Sequence, residues 1–339
     1  MSLPQILGQF PTVRLRRTRR YEWSRNLVSE TALSPKDLIW SVFVREESIS
    51  PEITSMPRIK RYSVQELVKE AHKAHDLGIG LLALFPVIEN KRKSEDAKEC
   101  LNDQGLIPTT VRALKQALPN LGIMTDVALD AYTSHGHDGL VTNGEILNDE
   151  TVKLLAKHAI VHAKAGADVI SPSDMMDGRV GVIRQALDSE NFEHIQIMSY
   201  AAKYASVFYG PFRDALGSQS CLGKSHKKSY QLDPANANEA LREVAQDIAE
   251  GADMVMVKPG LPYLDIVARV KDTFKVPTFA FQVSGEYAML DLAAKAGWLD
   301  FNQGLMETLI SFKRAGADGI ITYGAVEAAQ FIQKEPIKK

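Results

Sequence analysis

Three times in this chain a Gly-Ala-Asp tripeptide, at Gly166-Ala167-Asp168, Gly251-Ala252-Asp253 and Gly316-Ala317-Asp318, joins a stretch of helical spacing to a short apolar run. A glycine that ends a helix, a small packing residue and then a strand make one αβ joint, repeated. Leu77-Gly78 marks a fourth helix end of the same kind. From about Leu38 onward, β-type runs alternate with amphipathic stretches that carry charged faces. Eight runs read as strands, at residues 38–44, 79–86, 122–129, 167–172, 195–200, 254–257, 278–283 and 319–323. Eight βα units predict an α/β fold, a closed (β/α)8 TIM barrel. An open doubly wound sheet is the competitor, but no G-x-G-x-x-G follows the first strand. In the barrel, chemistry belongs at the carboxyl ends of the strands.

Residues 1–37 fit no αβ unit. They are proline-punctuated and basic, with Arg14, Arg16, Arg17, Arg19 and Arg20 close together, and are expected to form an extended arm in subunit contacts. Residues 38–339 are then the barrel. Within it, 206–234 is too long for an ordinary βα connection and is rich in glycine, serine and lysine, as an active-site lid should be. Its Arg213, Lys224, Lys227 and Lys228 suit substrate carboxylates. A solvated insertion would have the same composition.

Two of the apolar runs close on lysine. Met254-Val-Met-Val257 is followed by Lys258, and Pro259-Gly260 then ends the ladder. The run 196–200 leads through two alanines to Lys203. A lysine at the end of a buried strand has little water, so its charged form is disfavoured and a neutral, nucleophilic amine becomes accessible near pH 7. If both face one pocket, each lowers the other's pKa, and two Schiff-base nucleophiles result. Either lysine taken alone also suits a strand end that snorkels to solvent. Asp126, near the third strand's end, is placed for proton transfer, or for a hydrogen bond to a loop. Ser284 and Tyr323 fall at strand ends too.

A net charge of -2 gives no reason to expect nucleic acid or an anionic membrane as partner. No apolar run is long enough to span a bilayer, and the first residues lack the pattern of a secretory signal. Cys100 and Cys221, far apart, make no disulfide framework. A cytoplasmic location is the expectation.

Five segments together resemble one family. They are Met254 to Asp265 around Lys258-Pro259-Gly260, Asp126 to Gly139 with Asp130, His135, His137 and Asp138, Ser171 to Arg179 with Asp174 and Asp177, Ser199 to Arg213 around Lys203, and Val283 to Met289. In this length and order they are similar to porphobilinogen synthase, or 5-aminolevulinate dehydratase. The resemblance implies condensation of two 5-aminolevulinate molecules to porphobilinogen with loss of water, in heme and chlorophyll biosynthesis. It implies that Lys258 holds the substrate supplying the propionate side and Lys203 the one supplying the acetate side. Ser284 and Tyr323 would bind the first carboxylate, and Arg213 and Lys227 the second. Members with three cysteines bind zinc between Asp126 and Gly139; here Ala128, Asp130 and Asp138 stand there, so no catalytic zinc is expected. Asp130 and Asp138 would hold a weak magnesium or potassium ion, or accept hydrogen bonds. His135 and His137 are expected in hydrogen-bonding roles. Glu243 would bind magnesium remote from the active site. The resemblance also implies a homo-octamer with arms around neighbouring barrels, and no organic cofactor. The rivals are an aldolase-like lyase with one lysine and a non-catalytic barrel scaffold.

Overall fold

The computed structural model describes residues 8–216 and 226–334; Lys224 and Cys221 lie outside them. Eight strands follow in chain order: β1 (Leu38–Arg45), β2 (Leu81–Val87), β3 (Gly122–Val127), β4 (Val169–Pro172), β5 (Gln196–Lys203), β6 (Met254–Lys258), β7 (Thr278–Phe281) and β8 (Gly319–Thr322). Each pairs in parallel with its neighbours, and β8 returns to β1 through Leu38↔Ile320 and Ile39↔Ile321, which closes the barrel. The eight expected runs are the eight barrel strands; among the described residues, Arg61–Tyr62 adds a short parallel strand on β1, and Leu140–Thr142 pairs with Glu145–Leu147 outside the barrel. Two ends differ in a way that matters: β5 runs on through Ala201 and Ala202 to Lys203, and β6 includes Lys258.

The joint glycines do what their sequence context demands. Gly78, Gly166, Gly251 and Gly316 have φ of +90, +102, +106 and +103°, the left-handed region in which a side chain is strained. The aspartates have a second task. Asp168 accepts from the Ile123 N–H at 2.8 Å, Asp253 from Ile197 and Asp318 from Thr278, both at 2.7 Å. Each one satisfies a backbone donor at the start of the adjacent strand, where a ladder would otherwise begin with an open group.

Inward side chains of the upper barrel are aromatic. Phe43 lies on Tyr323 with ring centroids 5.5 Å apart, and Phe281 is 6.0 Å from both Phe85 and Tyr323. From the described part of the segment 206–234, expected to be a lid, the helix Gly210–Leu216 inserts Phe212 onto Phe43 and Phe85, at 5.6 Å from each. At about 0.5–1.5 kcal/mol per aromatic pair, these contacts hold the lid helix down. A glycine makes the approach possible: a Cβ on Gly285 would stand 2.5 Å from the Phe208 carbonyl oxygen. The returning lid strap is tied next to a key residue, since Leu232 N–H donates to the Lys203 carbonyl at 3.0 Å.

Residues 8–37 contain a turn at Leu15–Arg19 and a short helix at Glu22–Leu27, and form no βα unit. Phe10, Leu15, Trp23 and Leu27 are all largely exposed there.

Candidate active site

Between β5 and β6 the register starts as Met198↔Met254 and Ser199↔Val255, then continues as Ala202↔Val257 and Lys203↔Lys258. β5 therefore carries one extra residue, a β-bulge. Side chains alternate in and out along a strand, so one extra residue inverts the alternation beyond it. Tyr200 and Lys203, an odd number of positions apart, thus both turn into the barrel, and Lys203 stands beside Lys258. Both amines line one cavity together with Asp130, Phe212, Arg213 and Lys227.

Their surroundings differ. The Lys258 Nζ is enclosed by rings, 4.4 Å from the centroid of Phe281, 4.8 Å from Tyr200 and 5.2 Å from Phe212. It pairs with no carboxylate among the described residues. Burial, and then the charge of Lys203, pull its amine down to about 7. Lys203 instead donates to the Ser173 carbonyl and lies 3.5 Å from Asp138.

Asp126, one residue before the end of β3, is buried within electrostatic reach of both lysines. Burial and then the neighbouring Asp130 push its carboxyl up to about 6, against the pull of the two lysines. One of its oxygens has no hydrogen-bond partner, and neither has the buried Tyr200 hydroxyl. Buried polar atoms without partners are costly, and in an enzyme cavity they are places for substrate atoms. Asp138 behaves oppositely. Burial alone would raise it, but Lys203 and Lys227 hold it down to about 2.

Lys227 bridges the acids, 2.7 Å from Asp138 and 3.1 Å from Asp130. The pair named for a weak cation thus holds an ammonium group of the protein. His135 and His137 take part in hydrogen bonds: the His137 N–H donates to His135 Nδ1 at 3.2 Å, and His137 Nδ1 is 3.1 Å from the Tyr230 hydroxyl. Among the described residues no three His, Cys, Asp or Glu side chains converge as a metal-binding set.

Ser284, buried at the start of the helix Ser284–Lys295, accepts from the Phe212 N–H at 2.9 Å and donates to the Phe208 carbonyl at 3.3 Å. It is engaged by the lid backbone. Tyr323, just past β8, is buried beneath the aromatic layer beside Ser41, and burial pushes its phenol above the ordinary value. Lys203, Lys258, Asp130, Lys227 and Arg213 line one cavity, with Asp138 paired to its two lysines Lys203 and Lys227; Ser284 touches it only through Phe212, and Tyr323 lines a separate cavity with Trp40, Ser41 and Arg58. Glu243, on the helix Asn238–Ala249, stands apart and lines a second cavity with Asp177 and Glu239. Burial, with Asp247 and Asp177 adding to it against Arg179, raises its carboxyl.

Sequence reasoning gave no role to Tyr200, Ser173 or Arg179. All three lie in segments that resemble the family, which is the available signal. Ser173 acts through its carbonyl, which no residue type announces.

A family model described as Delta-aminolevulinic acid dehydratase matches residues 12–331. A relative of that name from Bradyrhizobium diazoefficiens is 54% identical over 324 residues, which cover 95% of this chain and 92% of the relative. One from Rhodobacter capsulatus is 52% identical, covering 96% of this chain and 98% of the relative. Among solved structures, the delta-aminolevulinic acid dehydratase (porphobilinogen synthase) of Toxoplasma gondii ME49, in complex with the reaction product porphobilinogen, superposes with a TM-score of 0.94 at 48% identity, covering 96% of this chain and 94% of that one.

Proposed function

We infer the reaction from kinship and geometry together: this chain belongs to the delta-aminolevulinic acid dehydratase family. It is a lyase, a porphobilinogen synthase, and it condenses two 5-aminolevulinate molecules to porphobilinogen with loss of water in tetrapyrrole biosynthesis. The non-catalytic scaffold is thereby set aside.

The mechanism we propose uses both lysines covalently. Lys258, uncharged for much of the time near neutral pH, adds to the ketone of the substrate that supplies the propionate side. A carbon–nitrogen double bond replaces the carbonyl and the oxygen leaves as water. Lys203 does the same with the second substrate. Each imine acts as an electrophile or, after loss of an adjacent proton, as an enamine nucleophile. Asp126, with its carboxyl near 6, is suited to take and return that proton. Ser284 and Tyr323 hold one substrate carboxylate, and Arg213 and Lys227 the other. Binding at the second site requires Lys227 to exchange Asp130 and Asp138 for the substrate, under a lid that excludes water.

The observation that carries this reading is the Lys203↔Lys258 pairing over one cavity. Borohydride reduction in the presence of 5-aminolevulinate, followed by peptide mapping, tests it. Both lysines are expected to be trapped. Trapping of Lys258 alone, with turnover retained in Lys203→Ala, would favour the one-lysine aldolase-like mechanism.

Magnesium, a homo-octamer and a cytoplasmic location belong to the same reading. Glu243, with Asp177 and Glu239 near it, would hold magnesium through water, and the ion would supply charge neutralisation there, away from the reacting carbons. The exposed apolar side chains of residues 8–37 support an arm that packs on neighbouring subunits. The bacterial relatives favour the cytoplasm, and no helix among the described residues is long and apolar enough to cross a membrane. Ala128, Asp130 and Asp138 offer no thiolate for zinc. Two lysines activate carbonyls without an organic cofactor.

A further inference from the structure

The segment 171–179 contributes a buried arginine that the mechanism above does not use. Arg179 opens the helix Arg179–Ser189 and is 2% exposed. Its Nη2 donates to the Tyr200 carbonyl and to Ser199 Oγ, each at 3.3 Å, and to Asp247 at 3.2 Å. Its Nη1 donates to the Met176 carbonyl at 3.1 Å, and Nε faces Asp174 at 3.7 Å. Apart from Asp247, which anchors the guanidinium from the helix Asn238–Ala249, these partners fall into two groups. Ser199 and Tyr200 are in the bulge of β5, and Asp174 and Met176 are in the loop that follows β4.

Both groups bear on Lys203. The bulge turns its side chain inward, and bulges interrupt the ladder, leaving backbone groups in need of other partners. Arg179 supplies a donor to such a carbonyl at Tyr200. The loop after β4 carries Ser173, whose carbonyl receives the Lys203 Nζ. In that loop Met175 has φ of +69°, a conformation a methionine adopts only when its surroundings enforce it. A planar guanidinium can bond to both groups at once; a lysine ammonium, a point donor, cannot span them.

We propose that Arg179 is a positioning residue for Lys203, a clamp that joins the β5 bulge to the loop after β4 and so sets where the second imine forms. Lys258 stands on β6 and meets the clamped residues only at the Tyr200 ring, 4.8 Å away, whereas Arg179 holds the Tyr200 carbonyl. The proposal rests on the two-imine reading, and the experiment separates their failures. Wild-type enzyme, Arg179→Lys and Asp247→Asn are reduced with borohydride in the presence of 5-aminolevulinate, and modification of each lysine is quantified by peptide mapping. Steady-state kinetics and thermal unfolding are measured alongside.

In Arg179→Lys, trapping at Lys203 is expected to fall by at least tenfold while trapping at Lys258 stays within twofold of wild type. Turnover falls on the order of 100-fold, the scale of an ångström-sized misplacement. Asp247→Asn, which keeps the arginine but weakens its anchoring, shows a smaller loss with the same bias toward Lys203, and decides the matter should Arg179→Lys not fold. Equal losses at both lysines, or wild-type trapping at both in a folded variant, overturn the role of Arg179 alone. Wild-type enzyme trapped at Lys258 only overturns the two-imine reading, and this proposal with it.

Discussion

Lys203 and Lys258 are direct partners across β5 and β6, yet Lys203 faces a carboxylate and a carbonyl while Lys258 faces aromatic rings. Two identical side chains on one ledge are thereby made chemically unequal. The pair predicts distinct tasks and a distinct response to pH.

Imine formation at Lys258 should rise with pH through a midpoint near 7. The folded-state value is lowered to about 7 from an ordinary value of 10.5, so above it the amine is neutral in the folded protein while the unfolded chain still carries the proton. Between these values the unfolded state binds more protons, and this group's contribution to stability rises with pH. Single-turnover trapping at Lys258 from pH 5.5 to 9 measures the limb. A flat profile would contradict it.

Charge changes nearby should move that limb in opposite directions. The Lys203 charge depresses Lys258, so Lys203→Met shifts the limb to higher pH. Asp126 raises Lys258, so Asp126→Asn shifts it lower and also slows turnover by about 10²–10⁴-fold through loss of proton transfer. The same trapping series, run on both variants, gives the signs. Shifts in one common direction would be incompatible with this electrostatic account.

Asp138→Ala should destabilise the fold by about 3–5 kcal/mol, the range for breaking a buried ion pair, because Lys203 and Lys227 lose their shared carboxylate. In the wild type the Asp138 value is lowered, from 3.8 to about 2. Its stabilisation is complete above the unfolded value and is lost as pH falls from there toward 2. Urea titrations at pH 7 and at pH 3 check both points. A variant as stable as the wild type at pH 7 would show that the triad adds nothing to stability.

Ser284→Ala should raise KM for 5-aminolevulinate more than it lowers kcat. On the proposed reading it removes a carboxylate ligand, and it leaves the part-buried Phe212 N–H without its acceptor, at a cost of about 1–3 kcal/mol. The lid helix should then loosen, so proteolytic cleavage within 206–216 accelerates in parallel. An unchanged KM together with unchanged proteolysis would remove Ser284 from both roles.

Magnesium should raise activity or favour the larger assembly, and Glu243→Gln should abolish that response without affecting trapping at Lys258. Light scattering and activity across a magnesium titration provide the readout. A variant that titrates like the wild type would assign the ion elsewhere.

Much of the barrel was legible. Apolar runs of strand length, and glycines where only a left-handed residue ends a helix cleanly, are local signals, and each of the eight runs became a strand. The site was legible in part. Lys203, Lys258 and Asp126 could be named because strand ends are where barrels place chemistry. Asp130, Asp138 and Lys227 were named too, but their mutual neutralisation was not visible, since it joins positions some 90 residues apart and depends on how the lid returns.

What the sequence by itself determined is the number of βα units, their order and the residue types that reach the strand ends, because these depend on short-range hydrophobic periodicity and glycine stereochemistry. The direction in which Lys203 points was decided only by the tertiary structure. Alternation along an unbroken strand would give Tyr200 and Lys203 opposite faces. A single extra residue, held in place by pairing with β6 and by hydrogen bonds from Arg179, reverses that parity. No local pattern encodes such a bulge, because the groups that stabilise it come from other strands and helices.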